Sequence, residues 1–150
     1  VEQFIAKYGW IVLGLISALG AAGVAIFGSL GLSKVNSTLA TTLRSIIMAT
    51  LLVVITLLTG QLQTVWRGGS NLDNRAWLYI VLAGVAGATS WLAYFAALKF
   101  GVTSKVAAID RLSVAFVFLL SIMFLGETHS WRGWLGLFLL VGGVYLIAAD

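Results

Sequence analysis

The sequence predicts an all-α membrane protein, a bundle of five transmembrane helices that pairs as an antiparallel ten-helix homodimer. Three observations predict it. Of 150 residues, 61% are hydrophobic and only 9% charged, where a soluble domain carries about 25% charged residues; the solvent of this chain is lipid. The charges bracket uncharged runs long enough to cross a bilayer as helices, which takes about 20 residues each. The Lys and Arg residues also divide almost evenly between the two ends of those runs, so no cytoplasmic excess sets one orientation.

Span one, near 10–32, lies in the uncharged stretch from Tyr8 to Ser33, "YGWIVLGLISALGAAGVAIFGSLGLS". That is longer than the apolar core of a cleaved signal peptide, about 7–15 residues. Span two, near 39–59, includes "SIIMATLLVVITLLTG" between Arg44 and Arg67. Span three, near 77–98, is "WLYIVLAGVAGATSWLAYFAAL", and span four, near 104–125, runs through "RLSVAFVFLLSIMFLG". Span five, near 131–149, is entered through Trp131 and ends at Asp150. Spans two and four reach full length only if Arg44 and the Asp110–Arg111 pair lie inside them, within roughly two turns of one end. Gly14, Ala18 and Ala22 recur at spacing four, as do Ala83 with Gly87 and Gly84 with Ala88. Small residues at that spacing let helices approach closely in lipid. "QLQTVWRGGSN" reads as a surface loop, and nothing in the chain marks a domain boundary, so residues 1–150 form one five-span domain.

Composition excludes several functions. The net charge is +4, but the bases are dispersed with no stripe of the kind nucleic acid requires. There is no Cys, which excludes disulfides and thiolate metal sites. With one His, and no hydrolase triad, metal-ligand cluster or phosphate-cradling glycine loop, an enzyme is not expected, nor is a cofactor. Glu127 and His129 in "LGETHS" have a structural role, with Thr128 or Ser130 capping the fifth helix.

Five spans put the termini on opposite faces. The N-terminal face carries Lys7, Arg67, Arg75 and Arg132; the other carries Lys34, Lys99 and Lys105, with Arg44 and Arg111 just inside. Either one weak bias, set through span one, decides the orientation, or the chain inserts both ways and two oppositely inserted copies form an inverted repeat, a common transporter plan; the second reading is preferred. Tyr8, Trp10, Trp66, Trp77, Tyr79, Trp131 and Trp134 gather at the N-terminal face as an interfacial aromatic belt. Trp91 lies midway along span three. With Tyr94 and Phe95 it makes a helical face that either packs or walls a ligand.

Ions within a span cost about 2.5–3.5 kcal/mol at mid-bilayer on insertion scales and therefore face an interior or a wet cavity, with a partner. Arg44, Lys105, Asp110 and Arg111 enter from one face, three bases around one acid. Asp110 pairs with Arg44 or a neighbour and ties helices together, or the surplus positive charge holds the anionic end of a solute; the two are not exclusive. Arg44, Asp110 and Arg111 are the candidate vestibule residues, Trp91 and Tyr94 its wall, and Ser113, one turn deeper than Asp110, a hydroxyl donor. Proton carriage by Asp110 is the lesser reading.

Residues 91–147, "WLAYFAALKFGVTSKVAAIDRLSVAFVFLLSIMFLGETHSWRGWLGLFLLVGGVYLI", resemble the EamA-type repeat of the drug/metabolite transporter superfamily. "NSTLATTLRS", residues 36–45, looks like that family's entry to the second helix. The resemblance is to five-segment, single-repeat bacterial and archaeal members. It implies export of small metabolites or drug-like solutes by alternating access, in the inner (cytoplasmic) membrane, and strengthens the case for the antiparallel pair. Three positions depart from the family: Ala108 stands where Pro is common, and Ala93 and Ala96 where Cys and Arg are frequent. Without that Pro, span four is expected to be straight. Four-segment multidrug cousins use a carboxylate in span one; span one here has no charge, which disfavours cationic drugs. Anionic, zwitterionic or neutral solutes are expected instead. The alternative is a non-transporting scaffold or assembly subunit with a closed core; a passive channel would need more polar spans.

Overall fold

Helix is what such a chain must adopt in lipid, because the backbone groups of each segment then satisfy one another. The computed structural model describes residues 2–32, 34–61, 63 and 73–150, with side chains from Tyr8 onward. Among them there are helices and no strand. Five stretches are long and apolar enough to cross a membrane: Tyr8–Leu32, Ser37–Leu58, Asn74–Phe100, Thr103–Leu125 and Trp131–Ala149. The protein is a multi-pass membrane protein. The greater part of the loop expected at 61–71, with Trp66 and Arg67, lies outside the described residues, as does the Lys7 side chain.

Span one is α1 (Glu2–Leu32) and span two is α2 (Ser37–Leu58). Asn36, extended at φ −65° and ψ 138°, caps α2: its Oδ1 accepts the Thr38 N–H at 2.9 Å. Below that cap the hydroxyls are met inside the helix. Thr41 Oγ1 donates to the Ser37 carbonyl at 2.8 Å and Ser45 Oγ to the Thr41 carbonyl at 2.8 Å. Thr50 and Thr56 bond back in the same way to Ile46 and Leu52. A hydroxyl facing lipid has no water to turn to, so the carbonyl one turn back takes it. Span three is α3 (Asn74–Phe100).

Span four comes in three pieces: α4 (Thr103–Asp110), α5 (Leu112–Leu120) and a π-helical turn (Ser121–Leu125). Span four, expected to run unkinked without the family's proline, has its hydrogen-bond ladder interrupted at Arg111. The Arg111 N–H donates to the Ala108 carbonyl at 3.0 Å, and the Val114 N–H to the Arg111 carbonyl at 3.0 Å. The ladder tightens from four-residue to three-residue closure around Arg111, and a break of this kind needs no proline. Gly126, at φ 67°, ends the span, and its N–H donates to the Ser121 carbonyl. Span five is α6 (Trp131–Ala149); Ser130 takes its N-cap position, yet its side chain makes no capping bond. The Ser130 carbonyl receives the Gly133 N–H at 2.9 Å instead.

The chain divides into two compact units. One is Val1–Leu30 with Phe100–Asp150, the other Gly31–Lys99. In the first, Thr103 Oγ1 donates to Ser29 Oγ at 2.9 Å, tying the end of span one to the start of span four. Both α4 and α5 pack against α6, and Ala25, Ala108, Ser121 and Val144 are buried. In the second, Leu32, Thr41, Phe95 and Leu98 are buried. Most large apolar side chains are not: Leu58 is 82% exposed and Phe138 72%, which only a non-aqueous surrounding tolerates over so much surface. At Gly14, Gly84 and Gly87, where close approaches are expected, a Cβ would meet nothing within 4 Å among the described residues. The close approach falls at Gly133, where a Cβ would lie 3.3 Å from the Phe118 ring.

Candidate functional site

Arg44 lies seven residues into α2, about 10 Å from its first residue at 1.5 Å per residue. The Asn36 cap fixes where that helix begins, and so how deep the guanidinium is carried. On α3, Trp91, Tyr94 and Phe95 share one face because residues three and four apart are neighbours on a helix. Their rings touch: Trp91 and Tyr94 meet edge to face with centroids 5.8 Å apart, and Trp91 and Phe95 lie at 6.0 Å. The Arg44 guanidinium carbon sits 3.6 Å from the Trp91 ring centroid and 5.5 Å from that of Phe95. Arg44, Trp91 and Tyr94 are half-buried and Phe95 is buried.

This unit holds a single acid, Asp73. It stands just before α3, eighteen residues from Trp91, or about 27 Å along the helix axis; it does not neutralise Arg44. No salt bridge or hydrogen bond joins the guanidinium to a described residue of its unit. A desolvated cation over an aromatic face gains about 2 kcal/mol, against about 2.5–3.5 kcal/mol for holding an arginine at the bilayer centre. The rings offset much of the desolvation. Among the described residues of this unit, the in-plane N–H donors, which point away from the ring faces, meet no acceptor.

The other expected site residues fall in the first unit. Asp110 closes α4 and is half-buried, Arg111 occupies the break and is exposed, and Ser113 is exposed on α5. Neither Asp110 nor Arg111 forms an ion pair with a described residue of that unit. The structure thus brings Arg44, Trp91 and Tyr94 together in one unit and gathers Asp110, Arg111 and Ser113 around the break in the other.

One cluster has more chemistry than the sequence suggested. Buried Ser121 donates its hydroxyl to the Phe118 carbonyl at 3.0 Å, and its Oγ lies 3.2 Å from His129 Nε2. Since that hydroxyl proton is committed, Nε2 is the donor to Ser121. The imidazole stacks on Phe118 at 4.0 Å and 24°, and Glu127 Oε2 is 3.7 Å from the same Nε2. A Ser–His–Glu triad needs the serine and the carboxylate on opposite ring nitrogens. Here both meet one nitrogen, so the cluster is a fastening between spans four and five. No group of metal-ligating side chains occurs among the described residues.

A protein-family comparison matches the EamA-like transporter family over residues 8–149. A Sinorhizobium protein named "Uncharacterized transporter in cobO 3'region" is 37% identical over 139 residues, covering 93% of this chain and 96% of its own length. No solved structure matches. An apolar five-span chain, matched from its first span to its last, belongs to the EamA-like transporter family, as one five-helix repeat, and that family and the transporter-named relative mark it as a membrane transporter and not an enzyme.

Proposed function

We propose that the chain is an exporter of small metabolites or drug-like solutes, working by alternating access as an antiparallel homodimer in the inner (cytoplasmic) membrane. The five spans act as one domain, and two copies supply ten. Anionic, zwitterionic or neutral solutes are favoured over cations. The observation that carries this reading is Arg44, a guanidinium about 10 Å inside a span that rests on aromatic rings and has no acid within reach in its own unit. A cation would have to approach that charge; an anion neutralises it. Trp91 and Tyr94 make the wall beside Arg44 in its own unit; Asp110 and Arg111, with the Ser113 hydroxyl, are the candidate vestibule residues of the other unit.

The test is solute flux in proteoliposomes. Efflux of organic anions or zwitterions is expected, and Arg44→Ala should slow it at least about tenfold, the scale of a lost charge-assisted contact. Rapid exchange of quaternary ammonium compounds, with no flux of anions, would reverse the proposed solute class. No flux of any class, with a closed core in the dimer, would favour the scaffold reading.

A further inference from the structure

We infer that Arg44, stacked on Trp91 beside Tyr94 and Phe95, is a receptor for a single monovalent oxyanion carried on a flat apolar body, an aryl carboxylate in the first instance. The inference rests on the transport reading and makes it specific to one atom group and one ligand shape.

Guanidinium geometry narrows the ligand. Its five N–H donors all lie in the plane of the group, and the ring of Trp91 at 3.6 Å covers one face of it. Recognition is therefore left to the in-plane edge. Two parallel N–H groups on that edge match the two oxygens of a carboxylate better than a spherical halide or a carbonyl. Charge narrows it further. Lys34 flanks α2 and Lys99 ends α3, so the deep position offers one positive charge and suits one negative charge. A monoanion leaves the pair neutral, whereas a dianion would carry uncompensated charge into an apolar span. The surroundings decide the rest. An oxyanion held in the guanidinium edge brings its body beside Trp91, Tyr94 and Phe95, whose rings lie edge-on and tilted to one another at 85° and 55°. Such a wall favours flat apolar groups. Acetate satisfies the fork but not the wall, and an aryl amide satisfies the wall but not the fork.

A phospholipid phosphodiester is also a monovalent oxyanion on an apolar body, so the experiment separates the two sources. The full chain in a nonionic detergent is titrated with 2-naphthoate, 2-naphthamide, acetate and inorganic phosphate. Thermal unfolding and tryptophan fluorescence are the readouts. Only 2-naphthoate is expected to raise the unfolding temperature and to quench fluorescence saturably, and Trp91→Phe should remove part of the quenching. Arg44→Lys keeps the charge and loses the fork. It should weaken naphthoate at least about tenfold while its ligand-free unfolding temperature shows that it folds. Equal effects of naphthoate and naphthamide, or an undiminished naphthoate effect in Arg44→Lys, would overturn the proposal. So would Arg44-dependent stabilisation by added phosphatidylglycerol with none by naphthoate, which assigns the site to lipid. Naphthoate binding without flux would leave the site standing and end the transport reading; anion flux that ignores Arg44 would do the reverse.

Discussion

Gly126 is the residue on which the join between spans four and five turns. Its φ of 67° lies in the left-handed region, which costs a residue with a Cβ about 1–2 kcal/mol. Space is not the obstacle, since a Cβ there would meet nothing within 4 Å. Gly126→Ala should therefore lower stability by about 1–2 kcal/mol, whereas Gly142→Ala, in the interior of α6 with equally open space, should gain up to about 1 kcal/mol from helix propensity. Thermal unfolding of the two variants in one detergent separates backbone conformation from crowding. Close by, Ser121 and His129 act as a unit, with Nε2–H donated to an oxygen whose own proton goes to the Phe118 carbonyl. Ser121→Ala and His129→Ala should each cost about 1 kcal/mol. The double variant should cost less than their sum by at least about 0.5 kcal/mol, because both remove the same contact. Full additivity would mean the 3.2 Å contact contributes nothing.

Among the elements, α2 illustrates what was legible in the chain and what was not. Its span was marked by the gap between Arg44 and Arg67, because lipid excludes charge so strongly that charged residues punctuate a membrane sequence. The helix begins at Ser37, earlier than the apolar run suggests, because Asn36 caps it. Removing that cap with Asn36→Ala should cost about 1 kcal/mol and fray the turn that sets the depth of Arg44. Naphthoate affinity, if the oxyanion site is as proposed, should fall alongside the unfolding temperature, whereas Thr59→Ala at the far end of α2 should leave affinity unchanged. The break in span four was illegible for a different reason. It lies in which carbonyl the Arg111 and Val114 amides choose, and composition says nothing about that choice; the family's proline suggested a kink by another mechanism. The aromatic face of α3 could be read from the spacing of Trp91, Tyr94 and Phe95. That Arg44, forty-seven positions earlier, would lie on Trp91 could not, since helical periodicity names a face and not its neighbour. The same limit hid the Ser121–His129 contact, which depends on the left-handed turn at Gly126.

On the scale of the whole molecule, the proposed antiparallel pair makes a demand on insertion that charge can test. Counted along the five spans, four bases belong to the N-terminal face and three to the other, or five when Arg44 and Arg111 are included. Orientation follows Lys and Arg in short loops, and a bias this small leaves both insertions accessible. Reporters fused to the C-terminus, one active only in the cytoplasm and one only outside it, should both give signal from the unmodified chain. Adding two lysines beside Arg132 should hold the N-terminal face in the cytoplasm, and adding two beside Lys34 should hold the opposite face there. If transport needs one copy of each orientation, either biased variant alone should lose flux, and co-expression of the two should restore it. Signal from a single compartment in the unmodified chain would exclude dual insertion. Retained flux in a fully biased variant would show that a parallel assembly, or one copy alone, carries the solute. In the proposed pair, a bulky substitution such as Gly84→Leu, at a position where a Cβ would meet nothing within 4 Å among the described residues, should separate the copies without unfolding either one.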